Sequence, residues 1–177
     1  RLGALMNQRV TIRMSLETRL RHAVQENQLA LHFQPQVDAQ SGRLVGAEAL
    51  LRWHDGTNQI PPDQFIPVAE ECGLIIPIGD WVIEKAIAHI VEWRKTFGDI
   101  PPIAINLSPR QFWRSALSDL ILEKLSNAGL PNDVLEVEVE QVALLHVADG
   151  RARPLAVEDL IDAHRRHAPL RELLADA

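Results

Sequence analysis

Apolar positions along the chain change their spacing, and those changes divide it. In residues 1–28 the apolar positions Leu16, Leu20 and Val24 recur every four positions on a polar background, predicting a connecting helix from near Ser15. From Leu29 to His146, strand-like and helix-like segments alternate. "LALHFQPQVD" and "LVGAEALLRW" read as strands of a hairpin joined through Gln40, Ser41 and Gly42. "DQFIPVAEECG" predicts a short helix closed by Gly73. In "DWVIEKAIAHIVEWRKTFG", Val82, Ala86, Ile90 and Phe97 fall on or near one face, and Gly98 stands at the C-cap. "IAINLS" is a short apolar strand. "SPRQ" then opens a helix expected to reach Gly129, with Ser108 as cap, Pro109 in the first turn and Gln111 completing a capping box. "VLEVEVE" alternates with period two. Strands separated by long helices predict α/β packing with a parallel sheet. Residues 147–177 lack Lys and show no convincing strand; one or two short helices broken at Pro169, or no fixed structure, is expected there.

Charges inside apolar runs are the next signal, because an isolated buried charge is costly. On a strand, Glu48, Leu50 and Arg52 share one face, opposite Ala47, Ala49 and Leu51. Spacing alone favours a Glu48–Arg52 ion pair. Glu136, Glu138 and Glu140 also share a face, which is either solvated or occupied by a cation. Asn106, before a helix cap, suits a turn. All three groups fall at or near strand ends, where α/β folds build their sites. Glu48, Asn106 and Glu138 offer only oxygens, which suit Mg²⁺ or Mn²⁺, and Arg52 beside such an ion suits a phosphate oxygen.

Composition narrows the function classes. The 177 residues, 46% hydrophobic, are enough for one domain with a core. A formal charge of −6 argues against a sequence-independent grip on a nucleic acid backbone and leaves a small phosphorylated ligand open. Cys72 is the only cysteine, which excludes an internal disulfide and fits a reducing compartment. No apolar run approaches the roughly 20 residues of a membrane helix and no secretory leader is evident, so a cytoplasmic location is expected. Arg1 looks like a cut point in a longer protein. His32, His54, His89, His164 and His167 suit surface or packing roles better than ligation. Trp53, Trp81, Trp93 and Trp113 suit core packing, and Cys72 a buried small residue.

"HFQPQVD", "GAEALLRW", "FIPVAEECGLI", "IGDWVIEKA", "AINLSPRQF" and "LEVEVEQVALL" occur in the order and approximate spacing of the EAL domain, which cleaves the bacterial second messenger cyclic di-GMP. The resemblance covers about Leu29 to His146. It implies part of a modified eight-stranded β/α barrel of TIM type, with about four strands and flanking helices present. It implies Glu48, Asn106 and Glu138 as ligands of Mg²⁺ or Mn²⁺, Arg52 as a phosphate contact, Gln34 as a ligand contact and Leu50 as pocket lining. Residues 1–28 resemble the hinge entering from an upstream GGDEF diguanylate cyclase module, so a sensor or cyclase partner in a multidomain parent is expected.

Two departures qualify what the resemblance implies. After the metal-binding glutamate the family usually has Thr and Glu, whereas this chain has Val139, Glu140 and Gln141. The family's Asp-Asp-Phe-Gly-Thr-Gly stretch, its following Lys and its later catalytic Glu have no counterpart; Glu158-Asp159 lacks the glycines. No catalytic base is therefore identified. A paired-metal hydrolysis needs two ions roughly 4 Å apart and a base, so negligible turnover by this chain alone is expected. Three functions stay open: a metal-dependent phosphodiesterase, a non-catalytic cyclic di-GMP binding module, and a truncated remnant or interaction piece that dimerises through an open sheet edge. The tail's compositional break is of the kind a frameshift or truncation produces.

Overall fold

The computed structural model describes residues 2–56, 58–112, 116–139 and 155–156. In chain order the elements are α1 (Leu2–Ala23), β1 (Leu29–Val37), β2 (Leu44–Asp55), β3 (Asn58–Ile60), α2 (Pro62–Glu71), α3 (Ile75–Phe97), β4 (Ile103–Asn106), α4 (Pro109–Phe112), α5 (Leu117–Asn127), a 3₁₀ turn (Asn132–Val134), β5 (Leu135–Glu138) and β6 (Leu155–Ala156). They form a mixed α/β structure around one sheet of order β1-β2-β4-β5-β6, with β3 paired to the end of β2.

The predicted hairpin forms: β1 runs antiparallel to β2, with Gln34 opposite Glu48. Its turn is held by Asp38, whose Oδ1 accepts from Ser41 N at 2.7 Å and Ser41 Oγ at 2.6 Å. Gly42 takes φ 67°, a left-handed conformation that glycine adopts without a Cβ penalty. β2, β4 and β5 are mutually parallel, the arrangement the strand–helix alternation predicts.

Register fixes the two faces of the sheet. Ala49 lies opposite Ile105 and Ile105 opposite Val137, so these three share a face, joined by Trp53 two pairs along β2. All four are buried, as are Ile78, Ile83, Ala86 and Ile90 of α3 and Ile121 and Leu125 of α5, within one core cluster. Trp53 meets Phe65 of α2 edge-on at 5.5 Å, and Phe33 of β1 meets Trp93 of α3 at 4.6 Å. Trp81 and Trp93 are partly buried against this core; Trp113 lies outside the described residues. The opposite face carries Gln34, Glu48, Leu50, Arg52, Asn106, Glu136 and Glu138.

Several expectations need correction. α1 begins at Leu2, well before Ser15, although Leu16, Leu20 and Val24 do pack on the core. Arg19 of α1 pairs with Asp55 at the end of β2, and Arg13 with Glu71 of α2. Among the described residues the sheet has six strands where about four were expected; the two extra ones, β3 and β6, are too short to leave a periodic pattern. β6 falls in the tail where no strand was expected, pairing Leu155 and Ala156 antiparallel with Val137 and Glu136. The helix expected from Ser108 to Gly129 is two, α4 and α5, with Ala116 at φ 152° before the second. Cys72 is half-buried, its Sγ directed at the Ala69 carbonyl at 3.8 Å. The remaining tail, with His164, His167 and Pro169, lies outside the described residues.

Ile105 tests this division of faces. Ile105→Ala removes a fully buried side chain from the central parallel strands, and a loss of about 2–5 kcal/mol is expected. Urea unfolding followed by circular dichroism measures it; a loss under about 1 kcal/mol would place Ile105 off the core face.

Candidate functional site

The polar face comes together at the carboxyl ends of β4 and β5, beside the middle of β2. Asn106 ends β4 and Glu138 ends β5, and they are register partners. Glu48 pairs with Ala104, the residue two before Asn106 on the same face. Parity alone thus carries Glu48, Asn106 and Glu138 to one side, and a hydrogen bond completes the contact: Asn106 Nδ2 donates to Glu48 Oε1 at 2.6 Å. The backbone reinforces it, since Leu107 N–H donates to the Glu138 carbonyl at 2.9 Å.

Electrostatics marks the same place. The Glu138 carboxyl titrates above its ordinary 4.5, because of its burial first, then the charges of Glu48 and Glu136. A bound cation would reverse that repulsion. Among the described residues no three His, Cys, Asp or Glu side chains form a metal-holding group. The available donors are therefore two carboxylates and one amide oxygen. Such a set fits Mg²⁺ or Mn²⁺, since Mg²⁺ is commonly held by one or two carboxylates with water and substrate phosphate completing its shell.

The Glu48–Arg52 ion pair favoured by spacing does not form. Glu48 is engaged by Asn106, and Arg52 Nη1 donates to its neighbour's carbonyl, Leu51 O, at 2.9 Å. Arg52, Leu50, Glu48 and Asn106 all line a cavity of about 320 Å³. Gln34, exposed on β1 opposite Glu48, and Glu138 lie outside its wall. Glu140 lies outside the described residues. The structure thus brings Asn106 and Glu138, at the ends of β4 and β5, to the same face as Glu48, Leu50 and Arg52 within β2, with Gln34 on the adjoining strand of that face.

Sequence reasoning missed the cavity's other wall. Pro62 and Ile66 of α2 and Ile75, Ile78 and Val82 of α3 supply apolar surface facing the polar strand ends. Their helical spacing looked like ordinary core packing. The capping box also differs from expectation. Gln111 Oε1 accepts from Ser108 N–H at 2.9 Å, but the Gln111 N–H goes to the Ser108 carbonyl at 3.0 Å, and the buried Ser108 Oγ has no hydrogen-bond partner among the described residues.

Comparison with known proteins addresses the family. Residues 17–165 match the family described as EAL domain. The bifunctional diguanylate cyclase/cyclic di-GMP phosphodiesterase MucR of Pseudomonas aeruginosa is 38% identical over 146 residues, covering 82% of this chain and 21% of MucR. The cyclic di-GMP phosphodiesterase PdeR of Escherichia coli is 35% identical over 141 residues, covering 79% of this chain and 21% of PdeR. The chain spans about a fifth of the length of these relatives. The solved structure of PaMucR phosphodiesterase in complex with c-di-GMP aligns with a TM-score of 0.69 at 39% identity, over 76% of this chain and 55% of that one. Among the described residues no helix is long and apolar enough to cross a membrane. With the family match spanning most of its length, the chain belongs to the EAL domain family.

Proposed function

We propose that the chain provides a divalent-metal and cyclic di-GMP binding portion of an EAL-type phosphodiesterase, and that hydrolysis needs groups it does not supply. The observation that carries this reading is the Asn106–Glu48 hydrogen bond, which joins the end of β4 to the middle of β2 at a cavity that Arg52 also lines. Glu48, Asn106 and Glu138 would hold Mg²⁺ or Mn²⁺. When bound, the metal would offset phosphate charge and acidify a coordinated water. Arg52 would take a phosphate oxygen, Leu50 would pack against the ligand, and Gln34 would contact it from β1. Similarity to bifunctional MucR supports α1 entering from an upstream cyclase module.

The chain spans 55% of the solved MucR phosphodiesterase, so in this proposal groups from the remainder of that fold complete the hydrolytic site around Glu48, Asn106 and Glu138. Removing such groups commonly costs a hydrolase about 10²–10³-fold or more in rate.

Calorimetry with cyclic di-GMP and Mn²⁺ tests the proposal. Heat of binding is expected in the presence of Mn²⁺, weakened roughly tenfold or more by Arg52→Ala, the order expected for one charge-assisted contact. Glu48→Ala should weaken Mn²⁺ binding itself. No heat with or without the metal rejects the binding reading. Metal-dependent release of linear product, abolished by Glu48→Ala, would instead show that the chain is catalytically sufficient.

Glu138 adds a pH dependence. A carboxyl whose pKa is raised on folding binds its proton more tightly in the folded chain, so its contribution favours folding below the ordinary value and fades as pH rises through the raised one. Glu138→Gln should therefore gain stability relative to wild type on going from about pH 4 to pH 7, and Mn²⁺ should narrow the gap at pH 7. Thermal melts of both proteins across that range decide it; a constant difference would remove the charge repulsion from the account.

A further inference from the structure

Gln111 is a polar side chain buried to 4% exposure, and the proposed roles leave it unused. It lies on α4, five residues beyond Asn106, and reaches back to accept the Ser108 N–H through Oε1 at 2.9 Å. That bond fixes the turn between the end of β4 and α4. On its other side the amide is pressed against α3 at Gly79. A Cβ added to Gly79 would stand 1.4 Å from Gln111 Nε2 and 2.6 Å from its Cδ, so no residue with a side chain fits while Gln111 is seated. Gly79 lies inside a 23-residue helix, where glycine is less favourable than alanine by about 1 kcal/mol. The close approach of the amide accounts for a glycine there.

We infer that Gln111, seated against Gly79, is a positioning residue for Asn106. Leu107, between Asn106 and Ser108, is tied to the Glu138 carbonyl through its own N–H. With Ser108 N–H held by Gln111, the chain on the far side of Asn106 is anchored at two successive amides. Asn106 is exposed, and among the described residues one hydrogen bond holds its side chain, the 2.6 Å bond to Glu48. Its direction is therefore set by the backbone that carries it. The inference rests on Asn106 belonging to the proposed metal site, and its geometry can be read without metal.

The test uses the full 177-residue chain and two readouts. The first is the Asn106 side-chain NH₂ signal in ¹⁵N spectra, assigned by its loss in Asn106→Ala. The second is Mn²⁺ affinity by electron paramagnetic resonance. Gln111→Met fills similar space without an acceptor; Gln111→Glu keeps the acceptor. With Gln111→Met the Asn106 signal should move to the position of an unbonded amide, and Mn²⁺ affinity should fall about tenfold or more, as when a group supporting a metal ligand is lost. Gln111→Glu is read by the Asn106 signal alone, because its carboxylate adds a charge of its own near the metal site; that signal should stay near its wild-type position. Equal effects of Met and Glu on the Asn106 signal would mean packing alone and overturn the inference, as would an unmoved signal in Gln111→Met. If Gln111→Met does not fold, the double variant Gly79→Ala with Gln111→Ser removes the clash without restoring the bond, and the same shift of Asn106 is expected; an unmoved signal there overturns the inference equally. Failure of wild type to bind Mn²⁺ would defeat the metal reading, and the Asn106 signal would then decide the positioning role by itself.

Discussion

The pairing of Asn106 with Glu138 across two parallel strands is the constraint from which the site follows. Side chains alternate along a strand, so one register choice assigns every residue of β2, β4 and β5 to a face. A shift of one residue would bury Glu48 and Glu138 against the helices and turn Ile105 and Val137 outward. Desolvating those carboxylates while exposing two apolar chains is doubly unfavourable. The core therefore enforces the register, and the register delivers the polar groups to the strand ends. The hydrogen bond from Asn106 to Glu48 then joins β2 to β4 at the side-chain level.

Much of this was legible from the residues. The hairpin was announced by two alternating runs around Gln40-Ser41-Gly42, and α3 by its apolar stripe and Gly98, whose N–H donates to the Arg94 carbonyl at 3.0 Å. Parity correctly grouped Glu48 with Leu50 and Arg52, and Glu136 with Glu138. Other features depend on contacts between distant segments, which no local pattern encodes. β3 and β6 exist because β2 and β5 offer edges, and three or two residues carry no period of their own. The Glu48–Arg52 pair does not form because four residues along a strand separate the two by roughly 13 Å, and Glu48 meets Asn106 of the neighbouring strand instead. Nothing local marks Gly79, because the side chain that fills its place belongs to Gln111 on another helix.

Helix α1 braces elements that border the candidate site. Arg19 and Arg13 of α1 reach Asp55 at the end of β2 and Glu71 of α2, two elements that also frame the cavity. Exposed ion pairs contribute little to stability. Leu20 and Ala23, fully buried, supply the apolar hold of this helix on the core.

The resting position of the Arg52 guanidinium carries a consequence for recognition. Its described hydrogen bond is to a neutral main-chain oxygen, and none of the ion pairs among the described residues involves it. If Arg52 takes a phosphate oxygen as proposed, the anion displaces a weak dipolar contact and no competing carboxylate. The swap exchanges a neutral acceptor for a charged one, about 1 kcal/mol against roughly 1.5–3. Under the proposed role, the side chain would meet a negative group at little cost in rearrangement.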